Sequence, residues 1–354
     1  MLNKKTIFLV ISIFLSSFLL TGCLNSGSNK QPVNDAGIFR SVNKGETWQQ
    51  TVLIPTISGK PGSISQLSVN SLEMDPSDSN AIYFGSYGNG LFYTYDGGRG
   101  WQKAGVLGNG TISDLAVDPS SKCVIYASVN NALYKTTDCN RTWSQVYFDN
   151  DLGVKINAIA IDHEDSARVY IGLSNGDVIK SFDRGVSWQT LHRIADNIVD
   201  IVIDPNDARN VFIATSKKGI YRSRDNGASW HDLNEQLKEF KAHTNFKDLT
   251  TYKNEPGVLF LASYYGLLKS DDNGETWSEI NLIPQEQKTG INTIAVNPEN
   301  MNEIYYATNA TFYRTLDGGI NWAVKKLPST KAGWKLLINP DNTSIIYLAV
   351  KALK

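Results

Sequence analysis

The sequence predicts an all-β protein: a seven-bladed β-propeller of four-stranded antiparallel blades. First, one eight-residue string recurs seven times, and the tryptophans that end the copies are 42 to 53 residues apart. Second, each unit contains four apolar, β-branched or aromatic runs separated by Gly, Asn and Asp turns, with no long amphipathic helix. Third, the chain begins with the second half of a unit and ends with the first half, so the N- and C-terminal strands would close the ring two-plus-two. Radial stacking buries both faces of such units, and a β-sandwich array is the alternative.

The chain opens with a predicted signal peptide, residues 1–22. Lys4 and Lys5 precede 15 apolar residues, a run shorter than the roughly 20 that span a membrane. The string Leu-Thr-Gly-Cys at 20–23 resembles the lipobox of bacterial lipoproteins, and an ordinary cleaved signal is the alternative. The resemblance implies lipid attachment at Cys23 and an extracytoplasmic location in the bacterial cell envelope, on the outer leaflet of the cell membrane or on the outer membrane. Residues 23–35 are then the lipidated cysteine and a flexible tether, and residues 36–354 the propeller.

The repeated string follows the pattern Ser/Thr-x-Asp-x-Gly-x-Thr/Ser-Trp. Its copies are SVNKGETW (41–48), TYDGGRGW (94–101), TTDCNRTW (136–143), SFDRGVSW (181–188), SRDNGASW (223–230), SDDNGETW (270–277) and TLDGGINW (315–322). The pattern resembles the Asp-box, or bacterial neuraminidase repeat, of sialidases, sortilin-type receptors, xyloglucanases and photosystem II assembly factors. The resemblance covers essentially all of residues 37–350 and implies that these turns lie on the face opposite the ligand face.

The chemistry of the box predicts a structural role for its carboxylates. A side-chain oxygen at the third position accepts backbone N–H groups across the turn, glycine supplies the positive φ, and the indole covers the turn. We therefore expect turn residues, and neither catalytic nor calcium-binding groups, at Asn43, Asp96, Asp138, Asp183, Asp225, Asp272, Asp317, Trp48, Trp101, Trp143, Trp188, Trp230, Trp277 and Trp322.

Cations recur directly before the boxes. The residues there are Arg40, Tyr93, Lys135, Lys180, Arg222, Lys269 and Arg314. Two interpretations are open: a solvated position on the third strand, or a ring that binds an anion or a partner.

Cys123 and Cys139 are a candidate disulfide, because the intervening hairpin folds back and places them close together in an oxidising compartment. Two free thiols are the alternative. The four histidines are scattered without zinc-site spacing, so we expect no metal and no cofactor. The net charge of −1 gives no reason to expect a nucleic-acid partner.

The predicted ligand face consists of the loops between second and third strands and the loops between blades. Its candidate residues are Tyr87, Asp177, Tyr264, Tyr265 and Trp334. Aromatic side chains beside Asn and Asp suit a glycan or protein surface, and packing of loop on loop is the alternative.

The predicted function is a monomeric, lipid-anchored, non-catalytic scaffold that binds an unidentified protein or carbohydrate. The alternative is a glycoside hydrolase, sialidase-like or xyloglucanase-like, acting on polysaccharide. Sialidases carry an Arg-Ile-Pro string that is absent here, and xyloglucanases work between two seven-bladed domains where this chain has length for one. Candidate carboxylates for hydrolysis, Asp35, Asp177 and Asp196, are not singled out by any pattern.

Overall fold

The computed structural model describes residues 34–283 and 290–353, so the predicted signal peptide and Cys23 lie outside the described residues. These described residues form seven four-stranded antiparallel sheets and one two-stranded hairpin. The prediction of an all-β seven-bladed propeller is therefore confirmed. No helix in the described ranges is long and apolar enough to cross a membrane.

Blades are numbered here by the order of their boxes. Blade 1 contains β1, β2, β29 and β30, the hairpin β3–β4 follows it, and each later blade takes the next four strands. The first strands are β1 (Gly37–Ser41), β2 (Gln49–Gln50), β3 (Leu53–Ile54), β4 (Gly62–Ser63), β5 (Val69–Asp75), β6 (Asp78–Ser86), β7 (Leu91–Thr94), β8 (Gln102–Lys103), β9 (Ile112–Val117), β10 (Ile125–Val129), β11 (Ala132–Thr136), β12 (Ser144–Phe148), β13 (Ile156–Ile161), β14 (Val169–Leu173), β15 (Asp177–Ser181) and β16 (Gln189–Arg193).

The second half of the ring repeats the same pattern. Its strands are β17 (Ile198–Ile203), β18 (Val211–Thr215), β19 (Ile220–Ser223), β20 (His231–Asp232), β21 (Phe246–Thr251), β22 (Leu259–Ser263), β23 (Leu267–Ser270), β24 (Ser278–Ile280), β25 (Thr293–Asn297), β26 (Asn300–Ala307), β27 (Thr311–Thr315), β28 (Ala323–Lys326), β29 (Ala332–Ile338) and β30 (Ile346–Lys351). A 3-10 turn (Gly105–Leu107) and the single-turn helix α1 (Asn234–Leu237) lie between blades.

The first and last strands share blade 1. Strand β1 pairs antiparallel with β30 from Gly37 opposite Val350 to Ser41 opposite Ile346. The order in this sheet is β2-β1-β30-β29, which is the predicted two-plus-two closure. The pairing removes the free edges that an open row of blades would leave at its two ends.

The core lies between neighbouring blades. At the interface of blades 4 and 5, Tyr170 and Val178 pack against Ile201 and Ile213, and all four are buried. Each blade's first strand ends at the Asp/Asn-Pro turn or its degenerate equivalent. These turns and the boxes therefore lie at one end of the blades, called the box face. The opposite end, where the first strands begin, is called the mouth face.

Candidate functional site

The side-chain oxygen at the third position of each box accepts hydrogen bonds from other residues of the same box. In the fourth box, Ser181 Oγ donates to Asp183 Oδ1 (2.8 Å) and accepts from the Gly185 backbone N–H (2.7 Å). Ser187 donates to the same carboxylate through its backbone N–H (2.8 Å) and its hydroxyl (2.6 Å). These bonds, above all that from the Ser187 hydroxyl, lower the pKa of Asp183 to about 2. Equivalent bonds hold the residues at the third position of the other boxes: Asn43, Asp96, Asp138, Asp225, Asp272 and Asp317.

The box tryptophans lie against the preceding blade. The indole N–H of Trp101 donates to Thr51 O (2.9 Å), that of Trp188 to Val146 O (2.9 Å), and that of Trp322 to Asn281 O (2.7 Å). The indole N–H of Trp277 donates instead to Gly274 O within its own box (3.1 Å). The structure thus places these indoles in contacts that hold turns and blades together.

Four of the six cations before the boxes tie neighbouring blades together, whereas Arg40 donates to Tyr347 of its own blade and Lys269 pairs with Asp271 of its own box. Lys135 Nζ donates to Arg184 O and Lys180 Nζ to Asn226 O, both at 2.8 Å. Each acceptor is the fourth residue of the next blade's box, in the left-handed backbone conformation. Arg222 and Arg314 reach the equivalent carbonyls of the boxes that follow them. These four side chains bind backbone of the protein itself, which accounts for a recurring cation without an external anion.

Cys123 and Cys139 form a disulfide in the structure, with Cα atoms 4.0 Å apart. The bridge joins the residue two positions before β10 to the fourth position of the third box.

The mouth face contains a central depression of about 550 Å³. Its wall is formed by the starts of the first strands and by loops of the same face, and it includes Tyr87 and Trp334 from the predicted ligand residues. Trp334 N–H donates to Asn70 O (3.0 Å), and Lys351 Nζ lies 3.8 Å from the centre of the Trp334 ring. Lys155 and Lys247 also line this depression, so its wall is aromatic and cationic.

Polar and charged residues at one level of the first strands lie at or beside the floor of the depression. The level is the position four residues before the Asp or Asn of the Asp-Pro turn, or before its equivalent. In five blades the residues at this position are Ser71, Asp114, Asp200, Asp248 and Lys335. Ser71, Asp114, Asp200 and Lys335 line both this depression and a second one that opens on the box face, so the two depressions meet at this level. Asp248 lines neither depression but contacts Lys335. Lys335 Nζ lies 3.5 Å from Asp248 Oδ1.

Carboxyl groups outnumber ammonium groups at this floor. Burial raises the pKa of Asp114 to about 7, that of Asp200 to about 6, and that of the neighbouring Glu73 to about 8. The carboxylate of Asp248 raises the pKa of Lys335. Asp114 Oδ2 also accepts the Ile159 backbone N–H of the next blade (2.8 Å). The floor can therefore both accept hydrogen bonds and, where a carboxyl holds its proton near neutral pH, donate them.

The remaining predicted ligand residues do not line this depression. Asp177 forms an ion pair with Arg193 (2.8 Å), and Tyr265 donates to Glu279 (2.5 Å) while packing on the ring of Phe240. Tyr264 is 49% exposed.

Two of the carboxylates considered as candidates for hydrolysis accept hydrogen bonds from loop residues. Asp196 accepts from Ser216 and from two backbone N–H groups, and Asp35 accepts from Thr330. Among the described residues, no group of three His, Cys, Asp or Glu side chains is arranged to hold a metal ion.

Sequence reasoning did not identify Asp114, Asp200, Lys335 or Lys351 as site residues. The available signal was their register: aligning the repeats on the Asp-Pro turn places Asp114, Asp200 and Lys335 at one position of the inner strand. A charged residue on an inner strand, where neighbours are Val, Ile and Leu, needs partners or a functional reason to be there.

Comparison with known proteins connects this ring to two groups. The family described as "Photosynthesis system II assembly factor YCF48" matches residues 185–333. A xyloglucanase of Paenibacillus sp is 31% identical over 146 residues, which is 34% of this chain and 14% of that protein. Xyloglucanase Xgh74A of Acetivibrio thermocellus is 32% identical over 140 residues, 32% of this chain and 16% of that protein. The matched part thus spans less than a fifth of either relative.

Solved structures of both groups share the fold. The GH74 xyloglucanase from Xanthomonas campestris superposes with a TM-score of 0.65 at 17% identity, over 80% of this chain and 51% of that one. YCF48 from Cyanidioschyzon merolae gives 0.61 at 14% identity, over 84% and 98%. The structure of YCF48 bound to D1 peptide gives 0.62 at 18% identity, over 84% and 95%. The chain is therefore a seven-bladed propeller of Asp-box repeats that resembles both the YCF48 assembly factors and the xyloglucanases.

Proposed function

We propose that this protein is a lipid-anchored, extracytoplasmic, non-catalytic scaffold that binds a segment of a partner protein in the depression of the mouth face. The carrying observation is the paired Trp334 ring and Lys351 ammonium on the wall of a polar depression of about 550 Å³. An aromatic face beside a cation offers apolar contact area and a hydrogen-bond donor to one ligand.

The chemistry of the wall suits an extended peptide. The amide side chains of Asn157 and Asn292 are already bonded to the next blade, to Ile198 O and Gly333 O respectively. The lysines of the wall remain as donors to peptide carbonyls or carboxylates. YCF48 has the same fold, and the superposition covers 95% of its chain. That structure of YCF48 is bound to D1 peptide. This likeness supports protein binding over sugar binding for a single ring.

The proposal is tested with the full chain in detergent and an array of peptides from envelope proteins of the source organism. Lys351→Ala should weaken binding about tenfold, because it removes the cation of the pair. Lys326→Ala, which changes an exposed lysine of β28, is the matched control and should bind like the unaltered protein. Peptide binding that is equal in both variants would place the binding surface elsewhere. Glycans binding in preference to peptides would reject the protein-segment proposal.

A glycoside hydrolase is the second candidate, because two carboxyl groups with raised pKa values, Asp114 and Asp200, line the same depression. A carboxyl that holds its proton near neutral pH is the general acid that glycosidases need. The test is release of reducing ends from xyloglucan by the full chain. If the unaltered protein releases reducing ends and Asp200→Asn does not, the protein is a hydrolase and the scaffold proposal is rejected. If the unaltered protein releases none, the hydrolase is rejected.

The anchor is tested separately. Mass spectrometry of the protein from membranes should find an N-terminal peptide that begins with a diacylglycerol-bearing Cys23. Cys23→Ser should move the protein out of the membrane fraction, because the attached acyl chains provide the membrane affinity. An unchanged membrane fraction for Cys23→Ser would reject lipidation at this position.

A further inference from the structure

A cationic cleft, separate from the two depressions already described, lies on the box side of the ring between blades 5 and 6. It has a volume of about 540 Å³ and is lined by Arg222, Arg224, Ser229, Trp230, His231 and Glu275. Two guanidinium groups and one imidazole surround one carboxylate in this cleft. Its positive charge is therefore in excess.

The two arginines converge on one oxygen atom. Arg222 Nη2 and Arg224 Nη2 both lie 2.7 Å from Glu275 Oε1. Arg222 is 4% exposed, also donates to Asn273 O, and its buried Nε has no hydrogen-bond partner. Arg224 is 55% exposed. Because a guanidinium has five N–H donors, its bond to Glu275 leaves Arg224 with donors for a ligand.

Arg222 has a structural task, but Arg224 and His231 are not needed for it. Arg222 is the tie between blades 5 and 6, as Arg314 is between blades 7 and 1. The residues at the position of Arg224 in the seven boxes are Val42, Tyr95, Thr137, Phe182, Arg224, Asp271 and Leu316. Those that follow the box tryptophan are Gln49, Gln102, Ser144, Gln189, His231, Ser278 and Ala323. The repeat thus requires neither cation, and the cleft has both.

The interface of blades 7 and 1 provides a matched contrast. There Glu46 also meets two cations, but each has its own oxygen: Arg314 contacts Oε1 and Lys325 contacts Oε2. The charges are arranged as two separate pairs. In the cleft, by comparison, two cations share one carboxylate oxygen, so a second anion can take over the exposed guanidinium without breaking the tie made by Arg222.

We propose that this cleft binds a carboxylate of an acidic protein segment through Arg224 and His231. The planar fork of a guanidinium matches a carboxylate in two-point geometry, and the cleft already holds one such group in Glu275. The neighbouring indole of Trp230 provides an apolar wall beside the charges. The proposal concerns a site distinct from the depression of the mouth face and does not depend on the ligand bound there.

The test is a titration of the full chain in detergent with a glutamate-bearing peptide, with acetate and with inorganic phosphate, at ionic strength held constant with chloride. NMR of the four histidine rings reports binding, and the His231 signal is assigned with His231→Gln. The His231 signal should shift saturably with the peptide. In Arg224→Gln the apparent affinity should fall about tenfold, because the two-point contact is lost.

Lys325→Gln is the control, since it changes the matched interface and should leave the titration unchanged. An apparent affinity that is unchanged in Arg224→Gln, or a shift that chloride reproduces, would overturn the proposal, because screening alone would then explain the shift. Phosphate binding more tightly than the peptide would overturn the carboxylate assignment in favour of a phosphate or sulfate ester.

Discussion

The interface between blades 4 and 5 and the interface between blades 2 and 3 are held by different means. In the first, Lys180 Nζ and Tyr170 Oη both donate to Asn226 O in the next box (2.8 and 2.9 Å). In the second, the position of the cation is taken by Tyr93, and the buried hydroxyl of Tyr83 has no hydrogen-bond partner. Among the described residues, no side chain donates a hydrogen bond to the carbonyl of Cys139, the fourth residue of the third box.

The two regions show how one repeat tolerates loss of a tie. At blades 2 and 3 the rings of Tyr83, Tyr93 and Tyr95 pack on one another with centroids 5.2 to 6.3 Å apart. The box that lacks the tie has Cys139 at its fourth position, and the disulfide fixes that residue to Cys123. A covalent bond within blade 3 thus fixes the fourth residue of this turn, whereas in the fourth and fifth boxes the carbonyl of that residue accepts a hydrogen bond from the preceding blade. The next residue of the third box, Asn140, still donates its side-chain amide to Tyr95 Oη of blade 2 (3.2 Å).

The largest expected effect comes from removing the disulfide. The double variant Cys123→Ser and Cys139→Ser should lose about 3 kcal/mol of unfolding free energy, because the closed loop no longer restricts the unfolded chain. Denaturant unfolding measures the loss, and adding reductant to the unaltered protein should reproduce it. Reductant should have no effect on the double variant. An unchanged midpoint in both experiments would mean that the third box does not depend on the bridge.

Removing an ionic tie should have the next largest effect. Arg314→Met deletes the bonds to Lys44 O (3.0 Å) and Glu46 (2.7 Å) and should cost about 2 kcal/mol, since a partly buried carbonyl and a carboxylate both lose their donor. Lys269→Met is the control: Lys269 pairs with Asp271 of its own box, and that change should cost less than about 0.5 kcal/mol. Equal melting temperatures for the two variants would deny that cations before the box act across blades.

The tied interface should respond to alkaline pH. Burial lowers the pKa of Lys180 to about 8, whereas an unfolded lysine titrates near 10.4. Between these two values the unfolded chain binds more protons, so stability should rise with pH, by about 2 kcal/mol from pH 8 to pH 10. Lys180→Met should lack this increment. A chemical-denaturation series over this range measures it, and parallel curves for the two proteins would refute the assignment.

The smallest effect distinguishes two buried tyrosines. Tyr170→Phe removes a bonded hydroxyl and should cost roughly 0.5–1 kcal/mol, while Tyr83→Phe removes an unpartnered hydroxyl and should cost nothing or stabilise slightly. Thermal unfolding of the two single variants tests this pair. A greater loss of stability in Tyr83→Phe than in Tyr170→Phe would contradict the assignment of the bonded hydroxyl to Tyr170.

The fold could be predicted because the box marks the same place in every blade. Seven tryptophans in phase fix the number of units, and the half-units at the chain ends fix how they close. The cations before the boxes were visible in the sequence, but their partners were not, because each lies in the next repeat and is a backbone carbonyl. A carbonyl has no sequence signature.

The candidate site could be predicted only in part. Tyr87 and Trp334 were expected on the ligand face, and both line the depression. Asp114, Asp200 and Lys335 come from blades 3, 5 and 1, and they share one floor only after the ring has closed. Asp177 was expected there because its loop is at the right end of the blade, but Arg193 of the same blade pairs with it.

The pairing of β1 with β30 gives the molecule a seam in place of two ends. In an open row of repeats, the terminal units have one neighbour and are the first to separate. Here a blade can separate only if two interfaces, or the β1–β30 pairing, open. Deletion of the last strand should therefore lower the stability of all seven blades. By the same logic the chain could be rejoined at the seam and opened in a surface loop, such as the one between β3 and β4. Such a circular permutant would keep every interface between blades.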